Sequence, residues 1–392
     1  MSEWKEYKLG EIANIQTGPF GSQLHQSDYV DVGIPSIMPV NIGDRMNIST
    51  EKIVFITEED ATRLSRYCVQ EGDIVYSRRG DVEKCAYIGK AEIGWLCGTG
   101  CLRIRIDYSK ADSKYIAYYL STEDMKSWIS NNAVGTTMPN LNSSILQQVP
   151  LSLPSLDEQK RIASILSSLD DKIDLLNREN ATLEAMAETL FRQWFIEEAK
   201  EDWEEGTISD LIDFNPTRRL AKDTIVPFLE MSNLSTSTYA PVYWYDRAFN
   251  SGTKFQNGDT LLARITPCLE NGKTAYVDFL TESQIGWGST EFIVMCSKLG
   301  LHPFFSYVMA KYQDFRDYAE SCMAGSSGRQ RVDVDNLKNY PISIPDKAII
   351  NQFNINIESL VLKMQINNKQ IRALKAQRDI LLSKLMSNPN II

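Results

Sequence analysis

The chain has 392 residues, 43% of them hydrophobic, which is room for two or three globular domains of ordinary composition. No apolar run reaches the ~18 residues that a membrane span needs, and no signal peptide precedes the first domain. We therefore expect a cytoplasmic protein without a membrane partner. The net charge of −10 excludes a uniformly basic surface, and two histidines leave little material for His-based catalysis or metal binding.

The first globular part, residues 1–155, is predicted to be an α+β domain. Short apolar runs bounded by glycine, at residues 74–76 and 103–106, are typical of β-strands. Residues 113–129 place apolar side chains on one face and predict a helix. A segment with two prolines, residues 149–154, closes the domain.

A first long helix is predicted over residues 156–202. From Ile162 to Trp194, apolar residues alternate steps of four and three, which is the heptad pattern of a coiled coil, and Asn180 is the polar member. Three apolar side chains near the helix end lie outside this seam. We interpret them as outward-facing candidates for contact with a partner protein, with packing against the following domain as the alternative: Phe191, Phe195 and Ile196.

The second globular part, residues 203–345, repeats the first. Trp4 reappears as Trp203, and Gly72-Asp73 reappears as Gly258-Asp259. A helix is predicted over residues 303–318, in the place of the first domain's helix. The chain is therefore a duplicated unit of a globular domain followed by a helix.

A second long helix is predicted over residues 346–392, with a heptad seam from Phe353 to Leu385 that contains Asn367. In an antiparallel pairing, Asn180 faces Asn367 and both helix ends match. A parallel pairing would set each asparagine against an apolar side chain, at about 1–3 kcal/mol each. The residues expected at the centre of the antiparallel pair are Leu169, Ile173, Leu176, Asn180, Leu183, Met364, Asn367, Ile371 and Leu374.

Charge also favours this pairing, because residues 156–205 carry a net charge of −8 and residues 346–392 carry +4. The alternative is that each helix packs on its own neighbouring domain. The predicted fold class is α+β, with two tandem domains, each followed by a long helix, and an antiparallel coiled coil of the two helices.

No catalytic, cofactor or metal motif stands out. Gly272-Lys273-Thr274 resembles the end of a P-loop, but Pro267 occupies the position of a required glycine. The seven cysteines are scattered and match neither a disulfide framework nor a zinc site. We expect a non-enzyme with no catalytic residue, no metal site and no cofactor of its own.

Cationic and amide side chains cluster in loops that differ between the two repeats. Arginine, asparagine and glutamine can form paired hydrogen bonds with base edges, and threonine hydroxyls suit phosphates. Two readers of different DNA sequences on one scaffold would show this combination. The candidate DNA contacts are Arg78, Arg79, Thr136, Thr137 and Asn140 in the first domain, and Arg218, Arg219, Arg264, Arg329, Gln330 and Arg331 in the second.

The order of parts resembles the specificity subunit of type I restriction-modification systems. The resemblance covers nearly the whole chain and is carried by residues 4–12, 72–75 and 151–162. Residues 342–345 echo the last of these segments, although Asn351 stands where the family usually has an acidic residue.

The resemblance implies two target recognition domains, each reading one half of a split double-stranded DNA target. It also implies that the helices set the spacer and dock two methyltransferase subunits, which restriction and motor subunits join. S-adenosylmethionine, Mg²⁺ and ATP would belong to those partners. The alternative function is a protein-binding scaffold that carries duplicated domains on a coiled-coil ruler and does not bind DNA.

Overall fold

The computed structural model describes residues 4–43, 45–135, 138–241, 243–298, 300–326 and 328–387. Contacts divide the chain into two units, one made of residues 1–171 with 374–392 and the other of residues 172–373. Each long helix begins in one unit and ends in the other. None of the helices in the described ranges is both long and apolar enough to cross a membrane.

The first domain alternates short strands with short helices. Its elements are β1 (Lys5–Lys8), α1 (Leu9–Ile12), β2 (Ala13–Thr17), β3 (Tyr29–Val30), β4 (Ile34–Ile37), β5 (Val54–Ile56), α2 (Glu58–Arg63), β6 (Ile74–Ser77), β7 (Cys85–Tyr87), β8 (Leu96–Cys97), β9 (Cys101–Ile106), α3 (Ser113–Leu120), α4 (Glu123–Asn132), α5 (Ser143–Gln147) and β10 (Pro150–Leu153).

The central sheet of this domain has the antiparallel order β2-β9-β6-β7, and a second sheet has the order β3-β5-β4-β8, in which β4 and β8 are parallel. β1 pairs with β10, so the first and last strands of the domain lie side by side. Alternate side chains of the central strands, such as Ile74, Tyr76 and Ile104, enter a core that also includes Tyr115 and Leu151.

The helix predicted over residues 113–129 is two helices, α3 and α4. The Ser121 and Thr122 hydroxyls each donate a hydrogen bond, at 2.8 Å, to the backbone carbonyls of Tyr118 and Tyr119. The same carbonyls accept the Ser121 and Thr122 amides at 3.1 and 3.2 Å, so α3 closes in a tight turn, and the extended backbone of Thr122 separates it from α4. The helix predicted over residues 303–318 is likewise interrupted, at Tyr312, whose backbone is extended.

The second domain repeats this plan after the first long helix, α6 (Leu156–Arg192), which ends in a π-helical turn at Gln193–Glu197. Its elements are β11 (Glu204–Thr207), α7 (Ile208–Leu211), β12 (Ile212–Phe214), β13 (Ile225–Leu229), β14 (Tyr245–Ala248), β15 (Thr253–Phe255), β16 (Thr260–Ala263), β17 (Thr274–Tyr276), β18 (Gly286–Gly288), β19 (Phe292–Ser297), α8 (Phe305–Lys311), α9 (Gln313–Ser321), β20 (Met323–Ala324), β21 (Arg331–Val332), α10 (Val334–Leu337) and β22 (Pro341–Ile344).

Its sheets correspond to those of the first domain. The central order β12-β19-β16-β17 matches β2-β9-β6-β7, and β14-β13-β18 matches β5-β4-β8, again with one parallel pair. β11 pairs with β22 as β1 pairs with β10. The second long helix, α11 (Lys347–Ser387), follows this domain. The predicted α+β class, with two tandem domains each followed by a long helix, is confirmed.

Within the second unit, α6 and α11 run antiparallel. The Asn367 Nδ2 donates to the Asn180 Oδ1 at 2.9 Å, and the rings of Trp194 and Phe353 lie 6.4 Å apart. Of the nine predicted seam residues in the whole chain, six are buried and three are half-buried. The buried six are Ile173, Leu176, Asn180, Met364, Asn367 and Ile371, and the half-buried three are Leu169, Leu183 and Leu374.

Within the first unit, the same two helices are held to the domain by a charged cluster. The Tyr118 hydroxyl donates to the Asp170 Oδ2 at 2.6 Å, and the Arg378 Nη1 donates to the Asp170 Oδ1 at 2.9 Å. Ile162 of α6 and Leu385 of α11 belong to one buried core with the domain. Both helices are therefore anchored by apolar packing and by a shared carboxylate.

The interpretation of Phe191 and Phe195 as outward-facing partner contacts is wrong, and the stated alternative, packing against the following domain, agrees with the structure. Both side chains are 1% exposed and stack on each other with ring centroids 5.6 Å apart. Both also pack on Phe305 of the second domain, and Ile196 is partly buried in the same core. These residues lie off the seam because they face the domain that follows the helix.

Candidate nucleic-acid interface

Three loops of the first domain meet at one edge of its central sheet, where β2 and β6 end and β9 begins. The Gly18 amide donates to the Cys101 carbonyl at 3.0 Å, and the Arg78 amide donates to the Gly100 carbonyl at 2.9 Å. A Cβ at Gly18 would lie 2.0 Å from the Gly98 carbonyl oxygen, so only glycine allows this approach. The sheet thus fixes the base of each loop.

A fourth segment, described at residues 134–135 and 138–141, returns to the same edge. The Leu141 amide donates to the Arg78 carbonyl at 2.9 Å, and Asn140 forms bridges with Arg79 and Val134. The structure therefore brings together three of the predicted contacts, Arg78, Arg79 and Asn140. The other two predicted residues of this segment, Thr136 and Thr137, lie outside the described residues.

Phe20 is a residue of this edge that the sequence reasoning did not single out. Its side chain is 58% exposed, and the guanidinium carbon of Arg78 lies 6.0 Å from its ring centroid. A signal existed in the sequence, since an aromatic residue between Pro19 and Gly21 is in a loop rather than in a strand that could bury it.

The second domain builds the same edge from different residues. The Arg264 amide donates to the Glu291 carbonyl at 3.0 Å, and the Val332 amide donates to the Arg264 carbonyl at 2.9 Å. The Thr266 amide donates to the Gln330 carbonyl at 3.1 Å. Gln330 and the predicted arginines around it are therefore brought to the end of β16, as Asn140 is brought to the end of β6.

The predicted residues of this second edge are not equally available. At this edge Arg329 is exposed and Gln330 is half-buried. Arg219 is also exposed, but it lies next to Arg218, which binds Asp259 just before β16 begins, at the opposite end of that strand from Arg264.

Arg331 is exposed but donates to the Glu291 carboxylate at 2.9 Å through Nε and 2.6 Å through Nη2. These hydrogen bonds hold the pKa of the Glu291 carboxyl below its usual value. Arg331 would have to exchange this carboxylate for DNA, and no local pattern around Arg331 predicts that partner.

The prediction that Arg218 faces DNA is wrong. Its side chain is 8% exposed and forms an ion pair with Asp259, whose side chain is 1% exposed. The same carboxylate accepts the Gln256 amide at 2.7 Å. Burial raises the pKa of Asp259, and the Arg218 guanidinium opposes that effect. Arg218 therefore serves the interior of the domain.

The first domain satisfies the equivalent carboxylate from another direction. Asp73 accepts hydrogen bonds from Arg105, on strand β9, at 2.8 and 2.7 Å. In the second domain the arginine comes instead from the loop after β12. Both repeats therefore contain a buried acid paired with an arginine, but the arginine comes from a different position in each. Comparison of the repeats thus gives no sign that Arg218 is buried, and the sequence analysis listed it as a DNA contact.

Among the residues that the structure describes, no group of three or more histidine, cysteine, aspartate or glutamate side chains could hold a metal ion. The side chains gathered at the two loop edges are hydrogen-bond donors, amides, one aromatic ring and one carboxylate, that of Glu291, which is paired with Arg331. This set suits recognition of phosphates and base edges.

The two repeats of this arrangement also match a known family. A family model described as the type I restriction modification DNA specificity domain matches residues 1–185 and, again, residues 200–376. The chain belongs to this family. It is a specificity subunit with two target recognition domains, a non-catalytic role, as the sequence predicted.

Relatives and a solved structure agree with this assignment. The type I restriction enzyme MjaIX specificity subunit of Methanocaldococcus jannaschii is 24% identical over 408 residues, covering 98% of this chain and 93% of the relative. The HindI specificity subunit of Haemophilus influenzae is 24% identical over 201 residues, covering 50% of this chain and 42% of that protein.

The crystal structure of a type I restriction-modification S subunit from M. genitalium shares the fold. It superposes with a TM-score of 0.58 at 16% identity and covers 99% of this chain and 97% of its own. The tandem arrangement of two domains and two long helices is thus the architecture of this family.

Proposed function

We propose that each domain of this specificity subunit reads one half of a split DNA target through its loop edge. The observation that carries this proposal is the repeated edge itself. In both domains an arginine directly follows the corresponding central strand, and its main chain is hydrogen-bonded to corresponding neighbours on two sides, while the surrounding loops differ in sequence. One frame with two different sets of side chains fits two different half-targets.

The two long helices would fix the distance between the halves of the target. The 37 residues of α6 span about 56 Å at 1.5 Å per residue. The contact of Asn180 with Asn367 favours one register of the pair over its neighbours, because a shift would leave buried amides without partners. Laid along DNA at about 3.4 Å per base pair, a helix of this length corresponds to roughly a dozen or more base pairs.

The complex would also contain two methyltransferase subunits, joined in the restriction complex by restriction and motor subunits. Those partners would carry S-adenosylmethionine, Mg²⁺ and ATP, and the present chain would contribute target recognition. The helix α11 has an exposed apolar face that such a partner could contact. It consists of three residues spaced by seven and then four positions. Ile355, Leu362 and Ile366 are 75%, 47% and 52% exposed, and their spacing places them on one face, away from Asn367.

Replacing Ile366 with aspartate should weaken the methyltransferase complex by tenfold or more without unfolding the chain. An exposed site tolerates the carboxylate, but an apolar contact with a partner helix would have to bury it. Co-purification and the Kd of the complex measure the effect. Ile366→Leu is the matched control and should bind as the wild type does. Equal binding by Ile366→Asp would move the docking surface elsewhere.

The function is tested by mapping methylated adenines in the source genome with the gene intact, deleted and restored. We expect a split motif with a fixed gap to lose methylation on deletion and to regain it on restoration.

Changing both Arg329 and Gln330 to alanine should alter one half of the motif and leave the other half and the gap unchanged. An unchanged map on deletion in a cell that expresses the methyltransferase would contradict the proposal and favour the protein-binding scaffold.

A further inference from the structure

We infer that Arg78 and Arg264 bind the phosphate backbone of DNA in the same way in both halves of the target, and that the sequence is read by their neighbours. This inference rests on the proposed function. It assigns different roles to residues that the sequence analysis listed together as candidate DNA contacts. Its basis is the environment of the two side chains.

The two arginines occupy the same place in each domain. Each directly follows the last residue of a buried central strand, which is β6 for Arg78 and β16 for Arg264. Each amide donates to the carbonyl just before the neighbouring strand, that of Gly100 or Glu291. Each carbonyl accepts the amide of the returning loop, from Leu141 or Val332. The main chain at both positions is therefore held on two sides.

The guanidinium groups are held much less well than the main chain. In both residues the Nε atom is buried and has no hydrogen-bond partner among the described residues. Neither side chain lies within ion-pair distance of a described carboxylate, unlike Arg105, Arg218 and Arg331. Arg264 does help to lower the pKa of the nearby Glu291 carboxyl, but that carboxylate forms its hydrogen bonds with Arg331. A buried donor without a partner is unfavourable, so these side chains lose little by turning outward when an acceptor arrives.

What each guanidinium would give up is small. In the first domain it lies over the exposed ring of Phe20, and in the second its Nη2 donates to the Val332 carbonyl at 2.8 Å. The acceptor that would replace these contacts is anionic, because a guanidinium without a carboxylate partner gains most from a charge-assisted hydrogen bond.

A phosphate fits this position better than a base edge. Contacts to phosphate set the position of a protein on DNA and carry no direct sequence information, so both domains can use the same one. Base contacts must differ between domains that read different half-targets. The residues that do differ at these edges are Phe20 and Asn140 in the first domain and Arg329 and Gln330 in the second.

The test uses the full chain in complex with its methyltransferase subunit, and duplexes with and without the mapped motif. Arg78→Ala and Arg264→Ala should each lower affinity for both duplexes by about tenfold, with an unchanged ratio between them. The slope of log K against log salt should fall by about 0.9 for each variant. Arg78→Lys and Arg264→Lys should restore most of that slope, because they keep the charge.

Matched controls lie at the opposite ends of the same sheets. Lys110 donates to the Glu11 carbonyl beyond the end of β9, and Lys338 pairs with Asp335 near the start of β12. Lys110→Ala and Lys338→Ala should leave the affinity and the slope as in the wild type. Thermal unfolding of every variant separates loss of binding from loss of fold.

Two results would overturn the inference. One is a change in the recognised base at a single motif position with unchanged affinity for the unrelated duplex, which is the behaviour of a base reader. The other is an unchanged salt slope in both alanine variants. Failure of the wild-type complex to bind either duplex would instead contradict the proposed function, so the two failures are distinguishable.

Discussion

Replacing Phe195 with alanine should lower the free energy of unfolding of the second unit by about 3–5 kcal/mol. The side chain is 1% exposed, and its ring lies 5.1 Å from that of Phe305 and 4.9 Å from that of Phe353. Truncation removes these contacts and leaves a cavity between α6, α8 and α11. The surrounding side chains relax only partly into such a cavity, because the core is already closely packed. Urea unfolding followed by far-UV circular dichroism gives the loss.

Met186 provides the control for this substitution. It lies on the same helix and is 48% exposed, so Met186→Ala should change stability by less than about 0.5 kcal/mol. A Phe195→Ala variant with wild-type stability and weakened partner binding would restore the interpretation that the structure overturns, namely that this phenylalanine is a partner contact.

Replacing Arg218 with alanine should lower the free energy of unfolding by about 3–5 kcal/mol, because it leaves the Asp259 carboxylate buried without its cation. The neighbouring Arg219 is exposed, and Arg219→Ala should change the free energy of unfolding by less than about 0.5 kcal/mol. The two adjacent substitutions thus separate an interior role from a surface role. Denaturant unfolding of both variants is the measurement.

The loss in Arg218→Ala should also depend on pH. Burial already raises the pKa of Asp259, and removal of the guanidinium removes the main effect that opposes it. A carboxyl whose pKa is higher in the folded state than in the unfolded state costs no stability below the unfolded pKa, and its cost grows as the pH rises from the unfolded pKa to the folded pKa. The variant should therefore recover stability relative to the wild type as the pH falls toward the acidic range. A loss that is independent of pH would contradict this account.

The long helices and the duplicated frame could be predicted from the sequence because both leave periodic or repeated signals. The heptad steps located α6 and α11, and the two asparagines marked positions that meet in the second unit. The repeat also indicated which loops correspond, and the sheets bring these loops to equivalent edges of the two domains.

What could not be predicted depends on partners that are distant in sequence. Phe191 and Phe195 pack on rings more than 100 positions away, and the heptad steps do not record that contact, so the sequence could not decide between a partner contact and packing against the following domain. Arg218 and Arg331 each bind an acid that lies just before a strand and is distant in the sequence, and in the first domain the equivalent buried acid is paired with an arginine of strand β9. The residues next to these arginines in the sequence are typical of exposed loops. Whether each guanidinium is free to contact DNA depends instead on its distant acidic partner.

The pairing of the first and last strands in each domain has an evolutionary consequence. β1 lies against β10, and β11 against β22, each over four residues, so the main chain enters and leaves a domain at neighbouring points. A domain from another member of the family that begins and ends with such a pair could be exchanged as a cassette without rebuilding the helices. New combinations of half-targets could then arise by recombination alone, in a single step.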